Sequence, residues 1–176
     1  MSVAVFDTSV LSPFARANRI DTLVELFPGQ TLVTTSAVRT ELANGVTAQP
    51  LLQTALNARW LGTAPTMDGN LEYLAMFAKC QSALGAGARN IGESTVLAYA
   101  QIVGGLAVID EEAAVNLAKR TSIAVTRTLS KIFASIRAGN LSEAAAQTLV
   151  DELVNVGGAR MPCDGASLIA YLNANG

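Results

Sequence analysis

Two aspartates in the sequence each follow a short run of apolar residues. Asp7 comes after VAVF and precedes Thr8 and Ser9, and Asp110 comes after LAVI. Short, fully apolar runs are typical of strands that are buried on both faces of a parallel sheet. In open α/β sheets, ligands bind where the carboxyl ends of the strands meet the following loops, so we expect both aspartates at that edge. If the two strands are neighbours, the aspartates lie close enough together to share one or two metal ions.

Two glutamates extend this acidic set. Glu41 lies in the predicted helix after the second strand, and Glu93 begins a helix after the glycine-rich connection GAGARNIGE. Four carboxylates from four separate elements are the hard oxygen ligands that Mg²⁺ or Mn²⁺ requires, and such an ion can activate water and neutralise a phosphodiester transition state. The alternative interpretation is structural. In it each aspartate caps the helix behind it, Glu93 favours a helix N-terminus, and Glu41 is a solvated surface acid.

The composition narrows the chemistry further. The 176 residues include no histidine, which excludes His-dependent triads and most catalytic zinc sites. A net charge of −2 gives no global positive field, so any nucleic-acid binding requires a local basic patch. Cys80 and Cys163 lie far apart without CxxC spacing, which favours a reducing compartment. The longest apolar stretch, residues 97–109, is too short to span a bilayer, and no leader precedes the first strand, so we expect a cytoplasmic protein without membrane contact.

Strands and helices alternate along the chain. Strands are predicted at residues 3–6, 31–35, 106–109 and 123–126, with a short, weak one at 61–65. The helix after Asp7 is expected to be interrupted early by Pro13. The alternation predicts an α/β fold with a mostly parallel central sheet of four to five strands flanked by helices. We expect one domain over residues 1–176, in which residues 140–176 form a C-terminal helical extension.

The ordered motifs resemble those of PIN-domain ribonucleases, including the VapC-like toxins of bacterial toxin–antitoxin pairs. The matching segments lie between residue 3 and about residue 130, and they are VAVFDTSVL, TTSAVRTEL, GESTVLAYA and AVIDEEAAVNLAKRTSIAV. The resemblance implies a three-layer PIN-like sandwich and a metal-dependent endoribonuclease with four catalytic acids: Asp7, Glu41, Glu93 and Asp110. It implies that Asp7, Glu93 and Asp110 bind Mg²⁺ or Mn²⁺. The implied partners are an RNA substrate, a cognate antitoxin and a second copy of the chain in a homodimer.

Further residues match the family or suit RNA. Ser9 matches a hydroxyl beside the first acid, Thr128 matches a threonine after the last strand, and Glu111 is a substitute or helper for Asp110. The hydroxyls either steady a ligand or cap helices. Four cations are candidates for phosphate contacts, with ordinary solvated surface charges as the alternative: Arg16, Arg39, Arg127 and Lys131.

Two other functions fit parts of the sequence. One is a catalytically weak or inactive PIN-like scaffold that binds RNA or a protein partner. The other is a different α/β enzyme with an acidic edge, such as a phosphotransferase. The sequence gives the second little support, because it has no GxxxxGK[ST] loop and its DTS motif is not the DxD of aspartyl-phosphate hydrolases.

Overall fold

The fold is built on a five-stranded, all-parallel sheet with strand order β3-β2-β1-β4-β5. The computed structural model describes residues 2–85, 87 and 90–175. The strands are β1 (Val3–Phe6), β2 (Thr31–Thr34), β3 (Gly62–Thr63), β4 (Leu106–Val108) and β5 (Val125–Thr126). The predicted α/β architecture with a parallel sheet is therefore confirmed. The weak strand predicted at residues 61–65 is present as β3, a two-residue strand at one edge of the sheet.

The central strand β1 explains why the sequence begins with an unbroken apolar run. It pairs with β2 and β4, and Phe6 lies opposite Thr34 on one side and Val108 on the other. Consecutive side chains Ala4, Val5 and Phe6 are all fully buried. Because consecutive strand residues point to opposite faces, both faces of the sheet are covered by helices.

Ten helices connect and cover the strands of the described chain. They are α1 (Thr8–Arg16), α2 (Thr22–Leu26), α3 (Ser36–Gly45), α4 (Leu52–Asn57), α5 (Leu71–Leu84), α6 (Ile91–Val103), α7 (Glu112–Arg120), α8 (Thr128–Arg137), α9 (Glu143–Asn155) and α10 (Leu168–Asn175). Side-chain caps define several starts, as the oxygens of Asn70 and Ser142 accept backbone N–H groups of α5 and α9. Of the glycine-rich connection predicted before α6, residues 86, 88 and 89 lie outside the described residues.

The expected early interruption at Pro13 is wrong, because α1 continues through it to Arg16. Proline lacks the N–H that would bond to the carbonyl four residues earlier, and in a helix interior it costs about 3 kcal/mol. Against this, α1 buries Val10, Leu11 and Phe14, each at or below 1% exposure. Full burial of such side chains contributes roughly 1.5–3 kcal/mol apiece, so packing against the sheet outweighs the local penalty.

The C-terminal segment joins the same core and reaches the end of the sheet that carries the acids. Leu149, Val150 and Leu153 of α9 are buried with the strand residues in one cluster. After α9 the chain passes so close to α1 that a Cβ on Gly157 would lie 2.5 Å from the Pro13 carbonyl oxygen, so only glycine fits. No helix in residues 2–85 or 90–175 combines the length and apolar character needed to cross a bilayer.

Candidate functional site

Asp7 leaves the carboxyl end of β1 and caps α1. Its backbone N–H donates to the Val108 carbonyl at 3.1 Å, which continues the pairing of β1 with β4 past the strand end. Its Oδ2 accepts the Ser9 N–H at 2.8 Å, so the capping interpretation holds for this oxygen. The side chain is 1% exposed, and Oδ1 has no hydrogen-bond partner. A buried, unpartnered carboxylate oxygen is costly, and capping alone does not account for it.

Asp110 leaves the neighbouring strand β4, but it does not cap the helix behind it. The N-cap position of α7 belongs to Glu111. The Asp110 carboxylate instead accepts two bonds from Thr128 at the start of α8, from N–H at 2.8 Å and from Oγ1 at 2.7 Å. Its own N–H donates to Ser9 Oγ at 3.1 Å. Ser9 therefore links the two aspartates, and Thr128 fixes the orientation of the second.

The two glutamates approach the same place from α3 and α6. Glu41 accepts the Gly92 N–H at 3.0 Å through Oε1 and the Thr8 hydroxyl through Oε2. A Cβ on Gly92 would lie 2.6 Å from Glu41 Oε1, so a larger residue here would displace the Glu41 carboxylate. The next residue is Glu93, whose Oε2 is buried without a partner. The chain thus fixes Glu41 with two donors and leaves one oxygen of Glu93 unsatisfied.

A cavity of about 400 Å³ unites these side chains at the carboxyl edge of the sheet. Its acidic lining consists of Asp7, Glu41, Glu93, Asp110 and Glu111. Thr8, Ser9 and Ser12 add hydroxyls from α1, and Arg16 and Arg160 add positive charge. The segment 157–159 after α9 completes the lining. The four acids predicted from separate elements therefore line one cavity.

Burial and mutual repulsion make these carboxyls hard to ionise. Burial first, and then the charge of Glu41, raises the pKa of Asp7 to about 6, although the hydrogen bonds from Ser9 oppose the shift. Burial and the Asp7 charge raise the pKa of Glu93 to about 7. Burial also raises the pKa of Asp110, against the hydrogen bonds from Thr128. All three pKa values are raised, and a bound cation would lower each of them.

The donor set suits a divalent metal ion, although it does not form a finished ligand cage. Among the described residues, no three Asp, Glu or Cys side chains already form a group that could hold an ion. The unpartnered oxygens, Asp7 Oδ1 and Glu93 Oε2, are hard donors that both lack a positive partner. The group therefore fits Mg²⁺ or Mn²⁺ in its chemistry, with water or substrate oxygens needed to complete the coordination.

The four cations considered for RNA contacts are placed differently. Of these, Arg16 lines the acidic cavity. Arg39 donates to the Leu56 carbonyl at 2.8 Å, and Arg127 pairs with the exposed Glu112. Lys131 Nζ lies 4.7 Å from the centre of the Phe27 ring. Arg16 is thus the one of these four cations that lines the acidic cavity, while the charge of Arg127 also acts on Asp110 and opposes the rise of its pKa.

The sequence interpretation missed several residues that shape the cavity. Thr8 was visible beside Asp7, but nothing local indicates that its hydroxyl holds Glu41. Gly92 directly precedes Glu93 in the sequence. Its close contact with Glu41 cannot be inferred without knowing that α3 and α6 are neighbours. Arg160 and the turn before it lie about 150 residues from Asp7 in the chain, so no sequence spacing connects them to the site.

An acid-lined cavity at the carboxyl edge of a parallel sheet lies where open α/β proteins bind ligands, and its carboxylates suit a divalent cation. The model of a family described as PIN domain matches residues 3–169. The chain therefore belongs to the PIN-domain family, whose members are typically nucleases that bind divalent metal ions. A comparison with curated proteins gave no match.

Proposed function

We propose that this protein is an Mg²⁺- or Mn²⁺-dependent endoribonuclease that hydrolyses RNA phosphodiesters at the acidic cavity. One observation carries the proposal: Asp7 Oδ1 and Glu93 Oε2 are buried without partners in a cavity that three further carboxylates also line. Buried carboxylates without partners are destabilised when they are ionised, and a bound cation would stabilise them. Family membership supports nuclease chemistry, and the choice of RNA follows the resemblance of the motifs to PIN-domain ribonucleases.

The acids have different roles in this proposal. Asp7, Glu93 and Asp110 hold the ion, while Thr128 orients the Asp110 carboxylate. Glu41 is fixed by Thr8 and the Gly92 N–H, so it acts as an organiser of the cavity wall. When bound, the ion supplies Lewis-acid chemistry that lowers the pKa of water and offsets charge on the phosphodiester. Ser9 links the two aspartates through its hydrogen bonds to both, and Glu111 is a further acid that lines the cavity and is a candidate helper.

Arg16 is suited to hold the substrate phosphate. It lines the acidic cavity, yet among the described residues it forms no ion pair with any carboxylate. Its guanidinium rests against Gly158, where a Cβ would lie 2.9 Å from Nη1 and where φ is +72°. Its Nε is buried without a partner. A guanidinium held away from the nearby carboxylates remains available for an anionic group that enters the cavity.

The test is an RNA cleavage assay with Mg²⁺, Mn²⁺ or EDTA. Asp7→Asn and Glu93→Gln are expected to lose cleavage by about 10²-fold or more, because each removes a charge needed to hold the ion. Glu72→Gln, an exposed acid in the first turn of α5, is the matched control and keeps full activity. Full activity in the Asp7 variant, or equal activity in EDTA, would refute the proposal.

A scaffold without catalysis is the second candidate, and one observation favours it. Both oxygens of Glu41 and both of Asp110 already accept hydrogen bonds from the protein. A scaffold has no need to bind Mn²⁺ at these acids, so calorimetric titration of the wild-type protein with Mn²⁺ separates the two functions. Heat of binding that disappears in Asp7→Asn supports the enzyme, and its absence in the wild type supports the scaffold.

The resemblance to toxin ribonucleases also suggests partners and a location. We propose a homodimer, an antitoxin as inhibitor and a cytoplasmic location. Both cysteines are free and buried, which is compatible with a reducing compartment. For dimerisation, α5 presents Leu71 at 81% and Leu74 at 40% exposure, whereas α9 uses its apolar face within the core. The α5 face is therefore the better candidate for contact between two copies.

A further inference from the structure

A second cleft lies beside the acidic cavity, and basic and aromatic side chains line it instead of acidic ones. It encloses about 210 Å³ between the start of α8, the segment before α10, and α10 itself. The residues that define it are Arg127, Ser130, Phe133, Arg160, Met161 and Tyr171. Arg160 also lines the acidic cavity, so the two depressions are contiguous at this side chain. A polymer bound in one can extend into the other.

The charge of this cleft favours an anionic ligand. Among the residues that the structure describes, its lining includes two guanidinium groups and no carboxylate side chain. Arg127 is partly neutralised by Glu112, which lies on the exposed surface. Arg160 is exposed and forms no ion pair within the part of the chain that the structure describes. In a protein with a net charge of −2, two cations beside a proposed phosphodiester site form the local positive patch that RNA binding requires.

The cleft also offers aromatic surface. The rings of Phe133 and Tyr171 lie 6.2 Å apart with a tilt of 32°, and both side chains are only half-buried. By contrast, Phe6 and Phe14 are fully used in the core. Partly exposed rings next to guanidinium groups are the features by which proteins bind single-stranded nucleic acid, since bases stack on the rings while cations contact phosphates. An acidic peptide would use the cations, but it would leave the rings without a role.

We propose that this cleft binds a nucleotide of single-stranded RNA adjacent to the scissile phosphate. The base stacks on Phe133 and Tyr171, and the neighbouring phosphates contact Arg127 and Arg160. The inference rests on the proposed function, because it places the nucleotide next to the cleavage site in this cleft. Duplex RNA keeps its bases stacked and paired and presents none to the rings, so the subsite selects single strands.

Binding is measured separately from cleavage. The probe is a fluorescein-labelled oligouridine of about ten nucleotides, within the usual site size of single-strand binding folds. Fluorescence anisotropy is recorded with the Asp7→Asn protein in EDTA, where no cleavage occurs. Tyr171→Ala is expected to weaken binding roughly 5- to 150-fold, whereas Tyr171→Phe keeps the ring and stays within about twofold. Ser130→Glu places a negative charge on the exposed rim and weakens binding without touching the core, and Ala43→Glu at an exposed position of α3 is its control.

The arginine test uses the same probe. Arg160→Ala is expected to weaken binding and reduce its salt dependence, while the exposed Arg59→Ala changes neither. A duplex of the same length is expected to bind equally to Tyr171→Ala and Tyr171→Phe. No binding of the oligouridine, or equal binding by all these variants, overturns the subsite and leaves the cleft to a protein partner. Tyr171-dependent binding in a protein that never cleaves RNA supports the subsite and refutes only the nuclease proposal.

Discussion

Replacing Asp7 by Asn is expected to stabilise the metal-free protein at neutral pH while it abolishes cleavage. Folding buries the Asp7 carboxylate at 1% exposure and raises its pKa from 3.8 to about 6. A tenfold change in an acid constant corresponds to about 1.4 kcal/mol, so the ionised side chain costs the folded state about 3 kcal/mol. Asn keeps the shape and still accepts the Ser9 N–H, though more weakly than a carboxylate. The net gain expected at pH 8 is therefore about 1–3 kcal/mol.

The pH dependence has a definite sign. Below pH 3.8 the carboxyl is protonated in both the folded and the unfolded chain and contributes no difference. Between pH 3.8 and about 6 the folded chain retains a proton that the unfolded chain has released, so the penalty grows as pH rises. Above pH 6 the penalty is complete. The advantage of Asp7→Asn is thus expected to be small at pH 4 and largest at pH 8.

The assay is urea and thermal unfolding in EDTA, followed by circular dichroism at pH 4 and pH 8. For a chain of this size, 1–3 kcal/mol corresponds to a rise in melting temperature of about 2–12 °C. Asp68→Asn, at an exposed loop position, is the control and shows no pH-dependent gain. An Asp7→Asn protein that is less stable than the wild type by the same amount at both pH values would refute the electrostatic reasoning.

Three further predictions follow from the contacts around the cavity. Gly92→Ala brings a methyl group within 2.6 Å of Glu41 Oε1, so the Glu41 carboxylate must shift and weaken its hydrogen bond with the N–H of residue 92. We expect a loss of about 0.5–1.5 kcal/mol of stability in urea unfolding and a fall in cleavage; unchanged values would contradict the assigned contact. Thr128→Val removes the hydroxyl bond to Asp110, which raises the pKa of that carboxyl further and moves the acid limb of the cleavage profile to higher pH, whereas Thr128→Ser is expected to restore it. Leu71→Glu is expected to shift the protein from dimer to monomer in light scattering, with Ala43→Glu at an exposed position of α3 as control, and a dimer that survives the Leu71 change would exclude the α5 face.

Sequence patterns predicted the sheet well because its central strands are buried on both faces. The runs before Asp7 and Asp110 are apolar since Ala4 to Phe6 and Ala107 to Ile109 have no exposed face. Placing the acids at strand ends then follows from the geometry of parallel sheets. Pro13 escaped prediction because its local cost is outweighed by tertiary packing, which a single element does not display.

The finer structure of the site depends on contacts between distant segments. Asp110 is held by Thr128, and Glu41 is held by Thr8 and Gly92. Each residue type was visible, but pairing them requires knowledge of which strands and helices are neighbours. The contribution of Arg160 requires that α9 pack on α1 and return the chain to the cavity, which depends on the close contact at Gly157. Such tertiary information has no short-range signature.

The most direct test of the central claim is anomalous diffraction from crystals grown with Mn²⁺. The acidic cavity is predicted to contain an anomalous peak in contact with carboxylate oxygens of Asp7 and Glu93, and that peak is predicted to vanish in Asp7→Asn crystals grown in the same way. A cavity without a peak, or manganese bound only at surface acids such as Glu152, would contradict the account.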